Sequence, residues 1–153
     1  LAEAQKRSLH CAAETTGYAS HEVFADFITR IDLLLFDMKH WDREKHREHT
    51  GVYNDIILEN MRYAVSQGIP TIARIPVIPK FNAGLDAARG MAGLLCGMGI
   101  REVHLLPFHQ FGEQKYEQLG IPYAMKGIPQ LHPENLETYR RIFLDAGLDC
   151  SFR

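Results

Sequence analysis

The chain has 153 residues, 46% of them hydrophobic, which is length and apolar content enough for one domain with a buried core. A net charge of −2 argues against a nucleic-acid or membrane partner, and no apolar stretch approaches the ~20 residues a membrane span needs. With no signal peptide in view, the expected location is the cytoplasm.

The first residues, LAEAQKRS, have the pattern of a helix end over 1–8, and a strand is expected at 9–13. The helix has no N-cap and no strand before it, so the chain is expected to be a piece of a larger domain. A polar turn follows with Glu14, Thr15, Thr16 and Gly17. Ser20 then has N-cap chemistry for a helix running to about Arg30, with Glu22 placed to complement the helix dipole.

LLLFDMKH at 33–40 reads as a buried parallel strand ending in charge. The segment HWDREKHREHTG after it is strongly charged, and a short exposed helix closed by Gly51 is expected. His40, His46 and His49 fall here, and the density of charge favours a solvated surface over a zinc site. Asn54 is expected to cap the next helix, whose Ile56, Ile57, Met61, Ala64 and Val65 share one face up to Gly68.

TIARIPVIP at 71–79 is the third strand, followed by a loop with Phe81 and Asn82 and an apolar helix over 84–98. EVHLLPFHQ at 102–110 supplies the fourth strand. The stretch from His109 to Pro133 is long, aromatic and interrupted by prolines, with one short helix expected in EQKYEQLG. A helix over 134–146 and a strand at 149–152 complete a βαβαβαβαβ order, which predicts an α/β fold with an open or partial barrel.

In such folds ligands gather at the carboxyl ends of the strands. Asp37, Lys39, Arg74 and His109 are therefore expected on one rim, with Glu14 and Thr15 at the exit of the first strand. Asp37 and Lys39 are two apart, which on a strand gives them one face. They can hold the polar groups of a small molecule, or simply close the strand as an ion pair. Arg74 sits in an apolar run and requires an anion, which Glu14, Asp37 or a ligand carboxylate could supply. His109 reads equally as a hydrogen-bonded structural residue, and Thr15 as a turn residue. Cys11, Cys96 and Cys150 are odd in number and far apart, so they are expected to be buried reduced thiols and not a disulfide or metal framework.

In order along the chain, ETTG, DLLLFDMKH, IARIPVIPKFN and HLLPFHQFGEQKY resemble the C-terminal part of the glycyl-radical-enzyme activating enzymes, including the pyruvate formate-lyase activating enzyme. The resemblance covers essentially all 153 residues and implies a partial (β/α) barrel of the radical S-adenosylmethionine type. It further implies an oxidoreductase in which a [4Fe-4S] cluster cleaves S-adenosylmethionine reductively, and the resulting radical takes hydrogen from a glycine of a partner such as pyruvate formate-lyase. Flavodoxin or ferredoxin would supply the electron. Carried over by motif, Asp37 and Lys39 line the cofactor and peptide site, Arg74 and His109 contact S-adenosylmethionine, and Glu14 with Thr15 lie by its methionyl end. Some members hold a monovalent cation there on an Asp, which Glu14 replaces.

The family's cluster motif, C-x3-C-x2-C, is absent from this sequence, and its three cysteines do not have that spacing. No catalytic or metal-ligating residue is therefore assigned, and the chain alone is expected to be inactive and prone to self-association through an exposed sheet edge. Two other readings fit the residues: a lyase using Lys39 as a Schiff-base amine, and a non-catalytic module docking a partner through Phe111, Tyr116 and Tyr123. Asp37 beside Lys39 disfavours the former by keeping the amine protonated.

Overall fold

The computed structural model describes all residues 1–153. Five strands form one sheet: β1 (Ala12–Thr15), β2 (Leu33–Asp37), β3 (Thr71–Val77), β4 (Glu102–Pro107) and β5 (Asp149–Phe152). They lie in chain order, and each neighbouring pair is parallel. Right-handed crossovers that always step in the same direction place every connecting helix on one face of the sheet. The other face is left open.

The helices are α1 (Ala2–Lys6), α2 (His21–Ile28), α3 (Arg43–Thr50), α4 (Asp55–Ser66), α5 (Leu85–Met98), α6 (Glu113–Gln118) and α7 (Glu137–Asp145), with a 3-10 turn at Pro133–Leu136. Ser20 caps α2 by accepting from the Val23 N–H, and Asp42 caps α3 by accepting from Lys45. The apolar stripes of α2, α4, α5 and α7 bring Phe24, Met61, Met91, Leu95 and Phe143 onto Leu34, Phe36, Ala73, Ile75, Val77, Val103 and Leu105. These are alternate residues of the central strands. Burial of each large side chain in this layer stabilises the fold by about 1.5–3 kcal/mol relative to exposure.

Four local features differ from the sequence reading. The first strand begins at Ala12 and runs to Thr15, three residues further along, because Cys11 is engaged with the Asp32 carboxylate through its N–H and with the Asp32 and Leu33 N–H groups through its carbonyl. Asn54 precedes α4 but does not cap it. Its carboxamide donates instead to the His40 and Trp41 carbonyls, tying the loop after β2 to α4.

His40 and His46 are 1% and 3% exposed, so the histidine-bearing segment is not a wholly solvated surface. His46 Nδ1 lies 2.8 Å from the Val52 carbonyl, and His40 Nδ1 accepts from the Asp42 N–H. A charged helix can bury a single polar residue when its partners lie within its own loops. Finally, Cys96 is exposed on α5, whereas Cys11 and Cys150 are buried. It lies three positions after Gly93 and next to Gly97, both exposed, so it stands at the edge of the helix's core stripe.

Candidate functional site at the carboxyl ends of the strands

Strand register assembles the open face in rows. Asp37 stands opposite Arg74, Arg74 opposite His104, and His104 opposite Ser151. One step towards the amino ends, Glu14, Leu35, Ile72, Glu102 and Asp149 form a second row. Their neighbours along each strand, Phe36, Ala73, Ile75, Val103 and Leu105, are fully buried under the helices. A period of two thus separates an apolar layer from a charged one within the same strands.

Arg74 reaches across β2 and pairs with Glu14 of β1. Its side chain is only 19% exposed, and its charge is answered by a carboxylate that is itself largely exposed. Lys39 Nζ bonds Asp37 Oδ2 at 2.9 Å, two residues back along the same segment. Met38, between them, is buried in the core. Two cations and two anions therefore gather around the carboxyl ends of β1 and β2 and the middle of β3, an arrangement suited to a zwitterion that carries both an ammonium and a carboxylate.

Thr15 and His109 stand apart from this group. Thr15 lies opposite Phe36, in the row facing the helices, and its Oγ1 accepts from the Gly17 N–H at 2.9 Å. That is a turn role. His109 follows the end of β4, is exposed, and stacks on Phe111 at 4.4 Å between ring centroids. None of its hydrogen bonds reaches Glu14, Asp37, Lys39 or Arg74.

Sequence reasoning passed over His104. It is 9% exposed, beside Arg74 in the row, and its Nε2 lies 2.9 Å from Glu102 Oε1. The signal was available, because His104 has the strand phase of the charged residues and Glu102 precedes it by two, as Asp37 precedes Lys39.

The rim loops are fixed from below. Asn60 of α4 is fully buried and donates to the Gly17 and Ala19 carbonyls, holding the turn after β1. Gly17 has φ of +68°, and a Cβ there would come within 2.2 Å of Phe36 Cζ, so that turn is pressed directly onto the core. Beyond β2, Trp41 lies against Gly90 of α5, where a Cβ would come within 2.1 Å of the indole Nε1. His40 packs between Trp41 and Phe81, and burial pushes its pKa down, with Lys45 adding a smaller push in the same direction.

No family model matches the chain. Individual proteins do. The 4-hydroxyphenylacetate decarboxylase activating enzyme of Clostridioides difficile (strain CD196) is 39% identical over 98% of this chain and 48% of its own length. The isethionate sulfite-lyase activating enzyme of Nitratidesulfovibrio vulgaris (strain Hildenborough) is 40% identical over 93% of this chain and 45% of its own length. The pyruvate formate-lyase 2-activating enzyme of Escherichia coli (strain K12) is 36% identical over 92% and 48%. The chain is a homologue of the glycyl-radical-enzyme activating enzymes.

This activase homologue spans about half the length of the curated relatives it matches. Its fold is that of a solved domain of the pyruvate-formate lyase-activating enzyme from Bacteroides vulgatus ATCC 8482, with a TM-score of 0.79 over 99% of this chain and 85% of that domain at 24% identity. The five parallel strands thus share the partial-barrel fold of that domain, with the charged rows on the sheet face opposite the buried apolar layer. No helix of the activase homologue is long and apolar enough to cross a membrane.

Proposed function

We propose that these 153 residues form the S-adenosylmethionine-binding wall of a glycyl-radical-enzyme activating enzyme, whose partner is a glycyl radical enzyme of the pyruvate formate-lyase or aryl-acetate decarboxylase kind. The observation that carries this reading is the clustering of Arg74–Glu14 and Lys39–Asp37 on the open face of the sheet, in a chain whose relatives named above are activating enzymes.

The four charges fit the amino-acid end of the cofactor. Arg74 supplies a planar cation for a carboxylate, and Glu14 or Asp37 an acceptor for an ammonium. Binding would exchange each internal ion pair for one with the ligand, so charge is conserved at the rim and little desolvation is left uncompensated. Lys39, bonded to Asp37, would border the site at the end of β2. His109, on the loop after β4, would complete it from the neighbouring strand end. S-adenosylmethionine, when bound and given one electron, supplies the hydrogen-abstracting group of this chemistry.

The residues present do not fit an iron–sulfur cluster. Cys11 precedes β1, Cys96 is exposed on α5, and Cys150 lies buried in β5 with its thiol pushed up to about 12 by desolvation. Thiolate ligation needs several cysteines close together and readily ionised. The cluster of the whole activating enzyme would thus be held by other residues, and the 153 residues alone would bind cofactor without turning it over.

Equilibrium dialysis with S-adenosylmethionine tests the cofactor reading. Arg74→Met is expected to weaken binding at least tenfold, about 1.4 kcal/mol. Equal binding by the wild type and the variant would overturn it. The partner reading is tested by joining this chain to the other half of a relative and looking for a glycyl radical on the partner by electron paramagnetic resonance. A silent spectrum from a folded, cluster-loaded hybrid would overturn that part.

A docking role has one supporting feature. Phe111 is 81% exposed, with Leu119 and Ile121 exposed nearby on the segment around α6, so the loop after β4 carries the apolar surface a protein partner would cover. A lyase with Lys39 as the amine is disfavoured by the 2.9 Å ion pair with Asp37, which engages the nitrogen that would have to attack a carbonyl.

A further inference from the structure

Lys39 lies two residues beyond the end of β2, where the sheet no longer holds the backbone. The ladder between β2 and β3 ends with the Met38 N–H donating to the Arg74 carbonyl. It is not continued because the next residue of β3 with that phase, Pro76, has no N–H to give. The backbone that carries the Lys39 ammonium would be free at the point where the candidate site needs it fixed.

Asn82 takes over that connection. It is 0% exposed, and its carboxamide donates to the Lys39 carbonyl and to the Pro76 carbonyl, both at 2.8 Å. Its Oδ1 accepts from the Ile78 N–H at 2.7 Å, which uses the amide's two donors and one acceptor position and fixes which way it points. No other hydrogen bond holds the Lys39 backbone. The loop that carries Asn82 is closed by three N–H groups, of Phe81, Asn82 and Ala83, converging on the Ile78 carbonyl. From behind, the Tyr139 hydroxyl of α7 donates to the Asn82 carbonyl at 3.1 Å.

We propose that Asn82 is the positioning residue for Lys39: where the ladder stops at Pro76, its buried carboxamide ties the Lys39 carbonyl to the Pro76 carbonyl and so sets where the Lys39 ammonium stands relative to Asp37 and Arg74. Asn82 does not itself reach the rim. The consequence for cofactor binding rests on the functional reading of Lys39 given above, whereas the positioning itself does not.

Reductive methylation of the chain, read at each lysine by mass spectrometry, tests the positioning without any cofactor. Asn82→Ala is expected to raise the Lys39 rate roughly twofold to fivefold, the size of an exposed ion pair's hold on an ammonium, with no change at Lys115. Asn82→Asp, which keeps the acceptor for Ile78 but loses both donors, is expected to do the same and serves if the alanine variant does not fold. Tyr139→Phe removes a hydrogen bond to the same loop without touching the carboxamide, and Lys39 should stay at its original rate. An unchanged Lys39 rate in the folded Asn82 variants, or an equal rise in Tyr139→Phe, would overturn the proposal.

S-adenosylmethionine dialysis then separates the two claims. Lys39→Met and Asn82→Asp should each weaken binding, and the double variant should be no weaker than Lys39→Met alone, because one residue acts through the other. Full additivity would overturn the proposal. A faster Lys39 with unaltered affinity in both single variants would leave Asn82 as the residue that places Lys39, and would instead remove Lys39 from the cofactor site.

Discussion

The two faces of the sheet are made by the same strands and obey different rules. Phe36, Ala73, Ile75, Val103 and Leu105 on the helix side are fully buried and touch only apolar groups. Glu14, Asp37, Arg74, Glu102 and His104 on the other side range from exposed Glu14 to His104 at the margin of burial, and each is paired with an opposite charge or a hydrogen-bonding partner: Glu14 with Arg74, Asp37 with Lys39, Glu102 with His104. The helix side supplies the free energy of folding, and the open side spends little of it, because its charges are paired near solvent where each pair is worth about 0–1 kcal/mol. A wall built in this way can alter its chemistry with little change in stability.

The largest expected effect lies on the helix side. Phe36→Ala removes a fully buried ring that packs against Phe24 and Gly17, and is expected to cost about 3–5 kcal/mol in chemical denaturation. A loss below 1 kcal/mol would mean that this layer is not the core of the fold. Asn60→Ala comes next. It leaves the Gly17 and Ala19 carbonyls without their buried donor, which should cost about 1–3 kcal/mol and loosen the turn after β1, seen as faster amide exchange at residues 15–19.

A smaller effect separates the faces by pH. His40 has a folded pKa below its ordinary value, so the unfolded chain binds the proton first as the solution is acidified. Its contribution is complete above ~6.5 and is lost as the pH falls through that value towards the folded pKa. Thermal unfolding between pH 7.5 and 5 should show this as a decline that His40→Phe flattens; an identical slope in the variant would contradict the assignment. The smallest effect on stability is on the open side, where Arg74→Met should change unfolding by only about 0–1 kcal/mol while removing the pairing with Glu14. A loss comparable to that of Phe36→Ala would abolish the distinction between the two faces.

A simple difference in thiol reactivity follows from the same layering. Cys96 should alkylate first and Cys150 last at pH 8, since Cys96 is exposed whereas burial holds the Cys150 thiol at about 12. Peptide mapping after partial alkylation reads the order directly.

Strand order, helix order and the apolar layer could be read from the chain because they follow from periodicity: an apolar run of five to seven residues between helical patterns has few other ways to fold. Asp37, Lys39, Arg74 and Glu14 were also within reach, since Glu14, Asp37 and Lys39 sit at the ends of such runs and Arg74 is a lone charge inside one. What periodicity could not supply were contacts between distant loops. Asn54 looked like a cap and became a tie to His40 and Trp41, while the charged segment holding His40 and His46 looked solvated and turned both rings inward. Asn60 and Asn82 appeared as ordinary polar residues until their partners, 41 to 43 positions away, were in place.

Local pattern therefore set the elements, their order and the kinds of group that stand at the strand ends, because propensity and burial act over a few neighbouring residues. Tertiary structure alone decided which of those groups meet, that Arg74 crosses β2 to Glu14, and that a buried asparagine holds Lys39. A hydrogen bond or an ion pair depends on distances set by the whole packed sheet, and no stretch of sequence contains those distances.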